Sequence, residues 1–100
     1  MKDLQAAVFK AMGDETRLEI LELLRNGKMC VCEIVPQIDA SQSNISQHLR
    51  ILKDTGIIEL EKRGRSNYYS VINVKVFEIV DLVEQILLEN LQVQMAKLES

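Results

Sequence analysis

The stretch Ser41-Gln-Ser-Asn-Ile-Ser-Gln-His-Leu-Arg-Ile-Leu-Lys-Asp54, followed by Thr55-Gly56, decides the reading of this chain. Ser41 suits a helix N-cap, because its hydroxyl accepts one of the first-turn N–H groups that a helix leaves unpaired. Ile45, Leu49 and Leu52 then recur at i, i+4 and i+7, the spacing of one buried helical face. The other face carries Gln42, Ser43, Ser46, Gln47 and Arg50. It lacks the Glu–Lys pairs of an ordinary solvated helix. Amide, hydroxyl and guanidinium groups in this arrangement suit the major groove of DNA, where they read base edges or hold phosphates.

Upstream, Leu4, Val8, Ala11 and Met12 share one face of a short first helix that Gly13 ends. Asp14 is placed to cap a second helix reaching about Arg25, with Leu18, Leu21 and Leu24 inward and Glu15, Glu19 and Glu22 outward. Asn26-Gly27 is a stop signal. Residues 29–38 form a third, shorter apolar segment containing Ile34, Val35 and Ile38. Pro36 falls in its middle, so its helix either begins near Val35 or has a distorted early turn. Asp39-Ala40 is a tight link. Two short helices joined by such a link, the second with a polar face, predict a helix-turn-helix over about residues 31–54.

Downstream, residues 57–62 and 67–72 read as strands, with Gly64 supplying the turn. Ile58 and Leu60 alternate with Glu59 and Glu61, the period of a half-buried strand. A hairpin in this place, about residues 57–72, is a wing whose tip offers Arg63 and Arg65 to a phosphate or the minor groove. Tyr68 and Tyr69 face opposite sides, one toward the core and the other toward DNA. Residues 74–98 form one long helical pattern with more apolar positions than a single stripe needs. One side can cover its own domain, and a second copy of the chain is the simplest cover for the other. The expected fold is α+β and mainly helical. It is a single winged helix-turn-helix domain over residues 1–100, with a two-stranded β-hairpin wing. Dimerisation helices fall at about 3–12 and 74–98, the latter long and C-terminal.

Composition narrows the class. One hundred residues, 47% of them apolar, make one domain with a real core. The net charge of −3 is unlike that of a basic nucleic-acid binder. Between Ser41 and Ser70, however, five bases (Arg50, Lys53, Lys62, Arg63, Arg65) face three acids (Asp54, Glu59, Glu61). DNA binding requires only such a local footprint. There is no run of about 18 apolar residues and no signal-peptide core, so the expectation is cytoplasmic residence, no membrane partner and reduced thiols. Paired carboxylates, a nucleophile–base set and a phosphate loop are all missing, which argues against an enzyme. The single histidine, His48, lacks companions for a metal site and suits a structural role, donating a hydrogen bond at the helix-turn-helix seam.

Cys30 and Cys32 are the only cysteines. Thiolates are ligands for soft ions such as As(III), Sb(III), Cd(II) or Cu(I). On a regular helix two residues so spaced diverge by about 200°, so they converge on one ion only where the backbone is irregular. The alternatives are two inert buried hydrophobes or a disulfide.

The order of parts resembles the ArsR/SmtB family of winged-helix repressors. The resemblance rests on Gly13-Asp-Glu-Thr-Arg-Leu18, Met29-Cys-Val-Cys-Glu-Ile34, Ser41-Gln-Ser-Asn-Ile-Ser-Gln-His-Leu49, Gly64-Arg-Ser-Asn-Tyr-Tyr69 and the long terminal helix, and covers essentially the whole chain. It implies a homodimeric repressor that binds a double-stranded DNA operator near its own promoter and is released by an effector. It also implies base reading by Gln42, Ser43, Ser46 and Gln47, with phosphate or minor-groove contacts from Arg50, Arg63 and Arg65. Cys30 and Cys32 match the thiolate ligands of metalloid-sensing members, with As(III), Sb(III) or another soft ion as effector and no obligatory cofactor. The chain also departs from the pattern. Val35 stands where a third cysteine often occurs, residues 1–12 hold no cysteine, and residues 74–100 hold no histidine. A thiol-redox switch at the same cysteines, or constitutive DNA binding or protein interaction with inert cysteines, are the alternatives.

Overall fold

Ser41 begins the central helix as its sequence suggests: its Oγ accepts the Asn44 N–H at 3.1 Å. The far end closes through Gly56, whose φ of 81° lies in the left-handed region that glycine enters at little cost. There Gly56 N–H donates to the Lys53 carbonyl and Ile57 N–H to that of Leu52, each at 3.0 Å, which pairs carbonyls the helix leaves open. Between these stops Ile45, Leu49 and Leu52 are buried.

The computed structural model describes residues 1–99. The elements are α1 (Lys2–Met12), α2 (Glu15–Leu23), a 3-10 turn (Leu24–Asn26), β1 (Met29–Cys30), α3 (Val31–Ile34), a second 3-10 turn (Val35–Gln37), α4 (Gln42–Asp54), β2 (Ile58–Arg63), β3 (Ser66–Val71) and α5 (Lys75–Glu99). Residues from α1 to β2 supply the buried core, including Met12, Ile20, Leu21, Ile34 and Ile58 around the three α4 residues. Tyr69, Val71, Phe77 and Val80 lean on it from β3 and α5.

Several expectations are corrected. The two-stranded wing hairpin is present, and the short β1 that the sequence did not reveal extends it to a three-stranded antiparallel sheet in the order β1-β3-β2. Met29 pairs with Tyr69 and Cys30 with Tyr68. A two-residue strand is too short to show its period of two, so the sequence reads simply as apolar there. The segment 29–38 divides into β1, one turn of α-helix and a 3-10 turn holding Pro36, because proline cannot donate inside a continuing helix. Leu18 does not point inward. It is 39% exposed, and Ile20 takes the buried place with Leu21 and Leu24. Leu18 instead borders an apolar depression between α1 and α5, with Phe9, Met12, Val80 and Val83. Leu4 is likewise exposed although Ala11 and Met12 on its face are buried.

At the hairpin tip Gly64 has a φ of 61°, so the turn sits where a side chain would be strained. Beyond β3, α5 leaves the body. The radius of gyration is 16.1 Å, against about 13 Å for a compact chain of this length. Asn73 Oδ1 accepts the Lys75 N–H at 2.9 Å near its start. Arg25 then clamps it: the guanidinium donates to both Asp81 carboxylate oxygens at 2.9 and 3.1 Å, holds Glu22, and lies 4.9 Å from the Phe77 ring centre. No residue of α5 is buried. Leu82, Val83, Ile86, Leu87, Leu88, Leu91, Val93 and Met95 are all exposed.

Candidate functional site

Gln42, Ser43, Ser46, Gln47 and Arg50 are exposed together on α4. The four uncharged side chains make no hydrogen bond among the described residues, so their donors and acceptors are available to a ligand. Arg50 Nε stands 3.7 Å from Asp54 one turn on, a long exposed pair that costs little to break. The wing follows α4 in the chain. Arg63 Nε donates to Glu61 Oε1 at 3.0 Å and its guanidinium lies 5.9 Å from the Tyr68 ring centre. Glu61 also accepts from Lys28 Nζ at 2.7 Å, and the two cations hold its carboxyl below the usual carboxylate range. Arg65 is exposed and makes no ion pair among the described residues. The two tyrosines divide as their strand positions require. Tyr69 leans on the core, and burial pushes its phenol up. Tyr68 turns toward Arg63.

Cys30 is 3% exposed, whereas Cys32 lies open to solvent. Cys30 is not helical: at φ −68° and ψ 145° it sits just outside α3 as its N-cap. That extended residue removes the divergence of a regular helix. The Cα atoms are 5.1 Å apart, within the usual span for a bridge, and the two sulfurs are joined as a disulfide. This differs from the expected free thiols, and the extended cap is what brings the two sulfurs within reach of each other. Cys30 Sγ accepts the Cys32 N–H at 3.1 Å while Glu33 Oε1 accepts the Cys30 N–H at 2.9 Å, a capping box with sulfur in the place of a hydroxyl. Sequence reasoning missed Glu33, although its spacing of three from Cys30 is the box signature. Cys32 borders an open groove with Val31, Val35, Pro36 and Gln42. The thiol pair thus touches both halves of the candidate interface, the start of α4 through this groove and the wing through the β1–β3 pairing. Among the described residues no three His, Cys, Asp or Glu side chains converge as a metal site would require.

His48 lies at the seam, but as an acceptor rather than a donor. Arg17 Nη1 reaches its Nδ1 at 3.0 Å, and arginine has only donors. Arg17 was missed because its partners are distant in sequence. Its Nε donates to the Ala11 carbonyl and its Nη2 to that of Lys10 at 3.4 Å.

A family model described as bacterial regulatory protein, arsR family, matches residues 14–59. An uncharacterized HTH-type transcriptional regulator of Methanocaldococcus jannaschii is 48% identical over 82 residues, which cover 81% of this chain and 92% of that protein. An arsenical resistance operon repressor of Bacillus subtilis is 44% identical, over 63% of this chain and 61% of its own length. Among solved structures, a homodimeric winged helix-turn-helix DNA-binding domain from Mycobacterium bovis, a possible ArsR-family transcriptional regulator, superposes with a TM-score of 0.79. It is 31% identical, and the match covers 90% of this chain and 83% of that one.

Proposed function

This chain belongs to the ArsR family of bacterial transcriptional regulators, and from that premise we propose that it is a homodimeric repressor of an inverted-repeat operator. Gln42, Ser43, Ser46 and Gln47 read base edges. Arg50, Arg63 and Arg65 hold phosphates or enter the minor groove. The observation that carries this reading is the exposed polar face of α4, unbonded among the described residues, followed in the chain by a wing whose tip bears the exposed Arg65. The homodimer is supported by the uncovered apolar residues of α5 and by the homodimeric Mycobacterium bovis relative. A titration of duplexes by fluorescence anisotropy tests it. Half-sites one helical turn apart, about 10–10.5 bp, should bind best. Gln47→Ala should cost roughly 1–3 kcal/mol of discrimination. Arg65→Ala should weaken all duplexes alike and flatten the salt dependence. Equal affinity for operator and random DNA at physiological salt would overturn the reading.

The effector is a thiophilic ion held by Cys30 and Cys32 once a small thiol has reduced the pair to two thiols, with As(III) or Sb(III) favoured. Two protein sulfurs lie together and, among the described residues, no third protein ligand joins them, which suits a trivalent metalloid that completes its shell with a small thiol from solution. A closed zinc site wants four protein ligands. The Bacillus subtilis relative named for arsenical resistance supports the choice. Cys30 Sγ is also the cap of α3, so a sulfur drawn onto an ion leaves that helix start unpaired and disturbs the segment leading into α4. A coupling of about 1–3 kcal/mol is typical of such linkage. A second reading rests on the joined sulfurs. There, two thiols lose two protons and two electrons to a thiol oxidant, and the disulfide is the switched state. Operator release by As(III), Cd(II), Zn(II) and diamide, compared between wild type and Cys30→Ser or Cys32→Ser, separates the two. Release by As(III) in both variants defeats the ion-sensing reading. Response to diamide alone in wild type selects the redox one.

A further inference from the structure

The last carbonyls of a helix have no partner within it. In α1 those of Lys10 and Ala11 are taken by one side chain, Arg17 of α2. The same guanidinium reaches His48 Nδ1 on α4 at 3.0 Å. Because the guanidinium only donates, the contact calls on His48 Nδ1 as the acceptor, a role open to the Nε2–H tautomer. The His48 side chain is 15% exposed, so water competes weakly for this bond. A charged donor makes it stronger than a neutral pair would be. Asp14 is the N-cap of α2 and binds the Arg17 backbone. Its Oδ1 accepts the Arg17 N–H at 3.0 Å and stands 3.8 Å from His48 Nδ1. The Arg17 backbone N–H and then the Arg17 charge keep the Asp14 carboxyl below its usual range. One arginine therefore ties α1, α2 and α4 together.

His48 sits between Gln47, on the open face of α4, and Leu49, on its buried face. A bond at that boundary resists rotation of α4 about its own axis, a motion that Ile45, Leu49 and Leu52 oppose through less directional apolar contact. We infer that Arg17 and His48 are positioning residues for DNA reading, a polar joint that sets the angle of the α4 polar face against the end of α1. The inference rests on the DNA-reading role of α4 and goes beyond it. Neither residue is assigned a contact to DNA. Base contacts need the face held to a fraction of an ångström, whereas phosphate contacts tolerate rotation. Loss of the joint should therefore lower operator affinity while leaving random-duplex affinity unchanged.

His48→Leu removes the acceptor at similar volume, and His48→Asn restores an acceptor oxygen near the Nδ1 position. His48→Leu should weaken operator binding about tenfold, with His48→Asn within about twofold of wild type. Arg17→Met combined with His48→Leu should be no weaker than the worse single variant, as expected for one shared interaction. A long-range nitrogen–proton spectrum of the wild-type protein should show the Nε2–H tautomer. Three results would overturn the joint: unchanged operator affinity in His48→Leu, an equal loss in His48→Asn, or additive losses in the double variant. If Arg17→Met fails to fold, the His48 pair and the tautomer spectrum still decide. If His48→Leu weakens random DNA as much as operator, His48 acts as an ordinary DNA or stability contact and the positioning role fails. If no variant discriminates any duplex, the repressor reading fails first, and that outcome is distinct from failure of the joint.

Discussion

The body from α1 to β2 and the outer part of α5 have similar apolar richness but opposite fates. In the first, Ile20, Ile34, Ile45, Leu49 and Leu52 are sealed by their own chain. In the second, Leu82, Ile86, Leu87, Leu91 and Met95 all face outward. So long an exposed apolar face is the kind of surface that marks an interaction site. The difference teaches that an apolar pattern specifies burial without specifying by whom. The core stripe of α4 is closed in cis, and the surplus on α5 is consistent with closure in trans.

The largest expected effect breaks this contrast open. Leu49→Ala should destabilise the body by roughly 2–5 kcal/mol, with a fall in melting temperature that does not depend on protein concentration. Leu87→Glu should leave the α1–β2 core intact and instead produce monomers in sedimentation, because a dimer interface would have to bury an unpaired carboxylate. Its stability should also lose the concentration dependence of wild type. A wild-type chain that sediments as a stable monomer at micromolar concentration would end the assignment of α5 to a second copy.

A smaller effect lies at the hinge between the two regions. Arg25→Met should release Asp81 and Glu22 and free the start of α5. Amide exchange over residues 75–81 should accelerate while residues 45–52 stay protected. The difference from wild type should shrink at high salt, since the lost ion pairs are screened.

The smallest belongs to the wing. Glu61 has its pKa lowered by Lys28 and Arg63, so its folded value lies below its unfolded one. Its stabilising contribution is complete above the usual carboxylate range and is lost as pH falls through the folded value. Glu61→Gln should therefore flatten the acid limb of the wild-type stability curve and leave the neutral region little changed. An identical acid limb in both proteins would show that this pair adds nothing.

Much of the fold was legible because it rests on local rules. Ser41, the Ile45–Leu49–Leu52 spacing and Gly56 give α4 its start, face and end, and the structure matches each. The hairpin followed from alternation and a turn glycine. The exposed residues on α4 and the wing followed from the same periods, since whatever is not on the buried face must be on the open one. The thiol pair was legible as two residues and no further. Whether two sulfurs two residues apart converge depends on the dihedrals of Cys30, which composition does not record.

By itself the sequence determined most of the helices, the wing hairpin, the inward face of α4 and the class of surface α4 presents, because helix and strand periods are set by backbone geometry within a few residues. The tertiary structure alone decided what joins residues far apart: Met29 and Cys30 beside Tyr69 and Tyr68, Arg25 on Asp81, and Arg17 between α1 and His48. Strand pairing, ion pairs and caps supplied from another helix depend on how elements meet in space, and no local period encodes that meeting.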